Sequence, residues 1–531
     1  MKSTYLYLFT SLLVLSALAG CKKDDTNFTD PYSGGREALG IVLNVAKLPS
    51  PSRGNAGATI RVDGTGLLAY KDQLKFYFNG EPAEVIKVDE SGIDAKVPDN
   101  ASSGIVSVTV GDQVFFGPRF VVTGLINIDP TFRATSGTNG PISHYYGLPD
   151  GRGIIVGSFS NYDNKGAVRR LNNFVRVSPD GDLDRSLNTG VGPNGSLSSF
   201  LNLNNRYFIA GGFSGYDLQV GRISNITQLN TNGTIDTVVV TTGTGKQRGV
   251  PIFNGGTDGF IENMGVSQGK IVISGGFRYY FRRRYNVPSR DGLRDSVIID
   301  STRIGSVIRL NADGSLDRTY RFNATTGQGL LGTNGFSRTL MLPDGKLLVY
   351  GRFTRFDDAA ANNVVRLNAD GTIDNTFTFT KTTTGISSIT YNATTKKYFL
   401  TGLFPASEGS PATNLALINE NGSVDPAFIP KTVTGYYVDY GKQLSDGKFL
   451  ISGVFNFYGN INRNGFAVLE PNGDLATGYN AIGNIRSAGG APLSDVIETR
   501  SADNKRALLL LGYFNEFDNL PAYNILRVTL E

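Results

Sequence analysis

The chain has 531 residues, more than one ordinary hydrophobic core fills, so two or more folded units are expected. Basic residues exceed acidic ones by only five, 51 against 46, with no long basic run, which argues against nucleic acid as a partner. One histidine, one cysteine and no tryptophan exclude a histidine-built metal cluster, a disulfide within the chain and the commonest sugar-stacking ring. Abundant Gly, Thr, Asn and aromatic residues, with almost no helical periodicity, predict an all-β protein.

Residues 1–20 read as a signal peptide. Lys2 supplies a positive start, and Tyr5 to Ala19 is apolar but short for a membrane span. Leu18-Ala19-Gly20-Cys21 closes it and resembles the bacterial lipobox, which implies acylation of the Cys21 thiol and a membrane anchor there. Lys22-Lys23-Asp24-Asp25 resembles the surface-export signal of Bacteroidetes lipoproteins, implying a lipid-anchored position on the outside of the outer membrane. Residues 21–38, rich in Asp, Ser, Gly and Pro, are expected to be a flexible tether.

Residues 39–123 carry alternating strand patterns sized for one small β-sandwich. Ala58 to Gly66, Phe76 to Gly80, Ala95 to Pro98 and Gly104 to Val110, taken in order, resemble the TIG/IPT immunoglobulin-like family. The resemblance implies a spacer between anchor and working domain.

From residue 124 the chain is repetitive. The stretch 341–377 holds three apolar runs cut by Pro343-Asp344-Gly345-Lys346 and Asn368-Ala369-Asp370-Gly371, then Ile373-Asp374-Asn375-Thr376-Phe377, which reads as one four-stranded antiparallel unit. A Gly-x-Phe marker ending the second strand occurs at Gly157, Gly211, Gly275, Gly351, Gly402, Gly453 and Gly512, so seven units are expected, 51 to 76 residues apart. The Asp-Gly or Asn-Gly turn before a fourth strand appears only at Gly181, Gly233, Gly314, Gly371, Gly422 and Gly473, and the seventh unit stops without one. Ile128-Asp129-Pro130-Thr131-Phe132 is an orphan fourth strand with no unit before it. Complementary ends suit a closed ring, so residues 124–531 are expected to form a seven-bladed β-propeller closed by strand 128–132; a solenoid has no use for them. The region resembles the bacterial delta-60 repeat, a propeller-forming family of unsettled function.

In such units the connections from strand one to two and three to four are short and constant, while those from two to three and four to the next unit vary. The variable loops share one face, where binding is expected. The longest insertions, 238–259 and 278–303, both serve the third unit. The second begins an aromatic and cationic cluster in which Tyr279, Tyr280 and Tyr285 offer faces to sugar rings, and Arg282, Arg283 and Arg284 offer partners to carboxylates or sulfates. An aromatic–aspartate pair recurs at Tyr162-Asp163, Tyr216-Asp217, Phe356-Asp357 and Phe517-Asp518, which reads as structural: a ring packed between units and a carboxylate capping a turn.

Catalytic and metal-binding residues and cofactors are not expected. A Ser-His-Asp triad would need His144, which reads as a satisfied core histidine. Asp180-Gly181-Asp182-Leu183-Asp184 and 311–317 lack the full ligand series of a calcium loop. The reading is therefore a monomeric, lipid-anchored envelope protein whose propeller binds an extracellular polysaccharide or a partner protein. The alternatives are an assembly protein that docks other envelope proteins and, behind it, a propeller hydrolase or lyase.

Overall fold

The computed structural model describes residues 38–168, 170–406 and 412–531; the signal peptide, Cys21 and nearly all of the tether lie outside them. Among the described residues the only helix is a 3-10 turn at Leu68–Tyr70, and everything else regular is strand. No described helix is long and apolar enough to cross a membrane.

Eight strands before residue 123 join in one hydrogen-bonded path. Alternation builds their core: in Gly104–Val110, residues 104, 106, 108 and 110 are buried. Val106 and Val108 meet Ile60, Val62, Phe76, Phe78, Ile93 and Phe120 in one cluster.

Among the sheets that follow in the described residues, seven antiparallel ones carry the Gly-x-Phe marker, with smaller ribbons between them. Their first strands are Ile142–Gly147, Ser196–Leu203, Ile261–Ser267, Phe336–Met341, Gly385–Asn392, Val433–Gln443 and Leu493–Arg500. The glycine of each Gly-x-Phe marker lies in the second strand opposite the first, near its start as in Ile142↔Gly157 or, in the long sixth strand, at its middle as in Val438↔Gly453. A Cβ on Gly157, Gly275 or Gly453 would stand 2.2, 2.2 or 2.3 Å from a first-strand carbonyl oxygen. Only a residue without a side chain lets the two strands approach so closely.

The expected fourth strand shrinks to a single bridge in six sheets, for example Leu367↔Ile373 and Ile418↔Val424. The next residue ends it. Asp374 accepts hydrogen bonds from the backbone N–H and hydroxyl of Thr376, and Asp184 and Asp317 do the same with Ser186 and Thr319. Such a turn competes with the ladder.

The same aspartates anchor a buried arginine of the third strand, and that arginine reaches the next sheet. Arg176 donates to the Thr231 carbonyl, Arg309 to Ala369 and Arg366 to Glu420. In the seventh sheet the carboxylate comes from the other end of the repeat region: Asn127–Ile128 pairs with Ile525–Thr529, and Arg527 holds Asp129. Arg527 also donates to the Pro179 carbonyl of the first sheet, 2.8 Å away. Leu509, Leu511 and Ile525 share a core with Phe132, Ile155 and Val175, so the seventh sheet packs on the first.

The recurring aromatic–aspartate pair works within this frame. Tyr162 and Tyr216 are fully buried and donate to the carbonyls of Gly181 and Gly233. Asp163, Asp217, Asp357 and Asp518 all take left-handed φ near +50°, and each carboxylate accepts a backbone N–H from the incoming loop, at Ser136, Val191, Gly332 and Gly483.

A candidate binding site at the mouth of the central cavity

The seven first strands surround a cavity of about 490 Å3. In six of them the register slips by one residue beside the marker glycine, skipping Ser143, Ser198, Glu262, Ser387, Asp439 and Ser494; the sixth strand slips at two further places, one of them skipping Tyr436. A bulge turns its extra residue out of the ladder. All six except Ser387 line the cavity, together with Arg338 from the unbulged fourth sheet. Sequence reasoning misses this set, because serine, which fills four of the six positions, is too common along the chain to mark a bulge.

Hydroxyls and amides knit the ring of first strands together. Ser494 donates to the Ile142 carbonyl, Asn263 to Thr339 and Thr390 to Gly441, all at 2.8–2.9 Å. Tyr440 donates to Asp495. Two polar atoms of the lining are buried with no hydrogen-bond partner, Asp439 Oδ2 and His144 Nε2. Burial raises the Asp439 carboxyl to about 6 against an opposing pull from Arg338, and raises Glu262 as well. It lowers His144, which favours neutral imidazole. His144 thus lines a cavity with one nitrogen unanswered and is not the satisfied core residue expected.

These bulges sit where the first strands leave the variable loops, so the cavity opens on that face. Phe260 and Tyr513 stand at its edge. Tyr436 and Phe336, exposed at 78% and 56%, occupy the same ends of the sixth and fourth sheets. The N-terminal unit leans on this face too, over the loops of sheets six and seven: Ser103 N–H donates to the Ala481 carbonyl, Arg119 to Asp518 O and Arg463 to Asn100 O.

The blade-three cluster is divided by its own geometry. Residues 279–288 form a strand that buries some of its side chains and exposes others. Tyr280 is buried and donates to the Gly314 carbonyl, which makes it the third sheet's counterpart of Tyr162 and Tyr216. Arg283 and Tyr285 are buried as well, with Arg283 held by the Ser224 hydroxyl. This corrects the expectation that Tyr280, Tyr285 and Arg283 face a ligand. Tyr279, Arg282 and Arg284 face outward, Arg284 in an ion pair with Asp300 at 2.7 Å. None of the six lines the cavity. Among the described residues no group of three or more His, Cys, Asp or Glu is placed to hold a metal ion, and Asp313 binds the Ser315 backbone and hydroxyl in an ordinary turn.

Comparison with protein families identifies propeller repeats in part of the chain. Residues 300–320, 342–377, 396–428 and 444–478 match a family described as a domain of unknown function (DUF5122) beta-propeller, so this region carries propeller repeats. Residues 17–118 match a second domain of unknown function (DUF5008). No curated protein matches the chain. Among solved structures, the chain is similar to the WD40 beta propeller domain of Doa1 at 10% identity, over 76% of this chain and 97% of that one, with a TM-score of 0.37. It is similar to Sqt1 from Chaetomium thermophilum at 9% identity, over 76% and 99%, with a TM-score of 0.37. An auxiliary nutrient binding protein from Bacteroides thetaiotaomicron VPI-5482 aligns at 10% identity, over 92% and 97%, with a TM-score of 0.30.

Proposed function

We propose that this is a lipid-anchored protein of the outer cell envelope that binds an extracellular polysaccharide. Residues 124–531 form a seven-bladed propeller closed by strand 128–132, residues 39–123 are an immunoglobulin-like sandwich of the TIG/IPT type, and Cys21 carries the lipid. The pairing of Val528 with Ile128 and the reach of Arg527 to Pro179 support closure. The observation that carries the binding reading is the cavity on the variable-loop face, where polar side chains converge from all seven first strands and two buried polar atoms lack partners. Cavities of a few hundred Å3 with a few convergent polar groups are where ligands bind, and unanswered buried groups call for a partner. Phe260 and Tyr513 at the edge offer apolar faces to sugar rings.

Labelled polysaccharides are titrated into the full chain and into a Phe260→Ala, Tyr513→Ala double variant, with released products measured in the same samples. Binding that weakens by about tenfold or more, without product, is expected, since one aromatic contact is worth on the order of 1 kcal/mol. Absence of binding to every glycan sinks the reading, and product release moves the protein to the hydrolases or lyases.

One observation favours docking of an envelope protein instead. The hairpins 237–251 and 279–303 expose Val239, Leu293 and Ile299 at 66%, 79% and 53%. Under that reading Val239→Ser with Ile299→Ser abolishes a defined envelope complex and leaves glycan binding untouched.

A further inference from the structure

The central cavity does not stand alone. It shares Glu262 with a cleft of about 690 Å3 between the third and fourth sheets. It shares Arg338 and Asp439 with a cavity of about 290 Å3 that runs from the fourth sheet to the sixth. Cleft and small cavity meet at Phe336. The three adjoin one another across several sheets, an extended trough divided by shared side chains, which suits a polymer of repeated units better than a single small molecule.

Arginines run along it. Besides Arg355, which donates to the Asp358 carbonyl, Arg278 and Arg303 line the cleft, and Arg338 and Arg352 line the small cavity. All four are exposed. Other arginines in these sheets are tied to carboxylates, as Arg309 is to Asp317 and Arg366 to Asp374. Among the described residues none of the four trough arginines forms an ion pair; the one hydrogen bond from Arg338 goes to the Ser387 carbonyl at 3.0 Å.

The acids facing them are fewer or engaged. Asp357 is taken up by Arg321 at 2.7 Å and by the Gly332 N–H. Glu262 and Asp439 are half-buried and both face Arg338, which leaves Asp358 as the exposed carboxylate. The cleft floor is backbone: Gly275, Gly276, Gly305, Gly332 and Gly335 line it, and a Cβ on Gly276 would stand in open space. Bare backbone lets a bulky, hydroxyl-rich chain come close. Phe336 presents an exposed ring on the wall between two cavities, with the Arg338 guanidinium 5.6 Å from its centroid.

We propose that this trough holds an acidic polysaccharide, a chain carrying uronate or sulfate groups, with Arg278, Arg303, Arg338 and Arg352 pairing with its anions and Phe336 stacking on a sugar ring. A guanidinium fork matches the planar carboxylate and the sulfate oxygens in two-point contacts. The proposal rests on the glycan-binding reading above and specifies its substrate class.

The test titrates the full chain with polygalacturonate and its carboxyl-reduced neutral form, and with chondroitin sulfate and its desulfated form, at two ionic strengths. Each acidic polymer is expected to bind at least about tenfold more tightly than its neutral partner at low salt, with the gap narrowing as salt screens the exposed charges. An Arg278→Gln, Arg303→Gln double variant, which keeps its melting temperature because both residues are exposed, is expected to lose most of that gap. Equal binding of acidic and neutral forms, or an unchanged preference in the variant, overturns the proposal and leaves glycan binding standing. Polyglutamate or single-stranded DNA binding as tightly as polygalacturonate also overturns it, in favour of a protein or nucleic-acid anion. Failure of all four polymers to bind removes the functional reading itself, and this proposal with it.

Discussion

Asp439 sits in a bulge with one carboxylate oxygen unanswered, and its environment makes a measurable demand on stability. Burial raises its pKa from 3.8 to about 6 by penalising the charged form. Between those values the folded protein keeps a proton that the unfolded chain has released. Stability contributed by this group is therefore full below about 3.8, falls as pH rises toward 6, and stays low above. Asp439→Asn removes the charge and keeps the shape. Urea unfolding of this variant is expected to show a gain of at most about 2 to 3 kcal/mol at pH 7 and none at pH 3.5. Equal differences at both pH values would mean that the carboxylate is well solvated in the cavity. His144 shows the limit of reading such residues from the chain. Its place in a first strand is legible, but whether a neighbour satisfies its ring depends on strands hundreds of residues away, and the Asp495 that faces it belongs to the seventh sheet.

At the scale of one sheet, the Gly-x-Phe marker is legible because its cause is local and repeated: two strands approach too closely for any side chain, seven times over. The bulges beside those glycines are not, since an extra residue leaves no fixed signature, and serine, glutamate and aspartate all fill the place. The blade-three cluster misleads for a related reason. Tyr280 has the place of Tyr162 and Tyr216, but Phe281 follows it where aspartate follows the others, so the repeated pair hides its third member. The marker offers a sharp test within a single motif. Gly275→Ala puts a Cβ 2.2 Å from the Phe260 carbonyl oxygen, whereas Gly276→Ala puts one in open space. Gly275→Ala is expected to cost roughly 2 kcal/mol or more through strand displacement, and Gly276→Ala to stay within about 0.5 kcal/mol. Thermal melts of the two variants compare them directly, and similar losses would show that the close approach is not what selects glycine.

For the whole molecule, what distinguishes a ring from a row is that its last contact is made between the two ends of the repeat region. Arg366 and Asp374 form a buried pair inside the fourth sheet, both side chains 4% exposed. Arg527 and Asp129 form the same pair at 1% exposure, across nearly the whole repeat region. Removing either aspartate strands a buried guanidinium, at a cost of roughly 3 kcal/mol. Arg527 keeps a second carboxylate, Asp180, at 2.9 Å, so its loss is the milder of the two in energy alone. The structural consequences run the other way. Ile373, the bridge beside Asp374, follows its own sheet after a short turn and has nowhere to go. Asn127–Ile128 pairs over only two residues, and its release uncovers the edge of the seventh sheet. An exposed edge pairs with other chains. Asp129→Ala is therefore expected to aggregate in a concentration-dependent way on mild heating and to become sensitive to protease between residues 124 and 137, while Asp374→Ala melts earlier without either sign. Two contacts work against release: the Leu125 N–H, two residues before the closing strand, donates to the Gly478 carbonyl, and the N-terminal unit docks close by through the Ser103 N–H and the Ala481 carbonyl. Ser103→Pro removes the N–H that donates to Ala481 and loosens that docking, so combining it with Asp129→Ala should lower the temperature at which aggregation begins. If the two aspartate variants behave alike in light scattering and proteolysis, the ends are held by something other than the closing strand, and the proposed ring loses its latch.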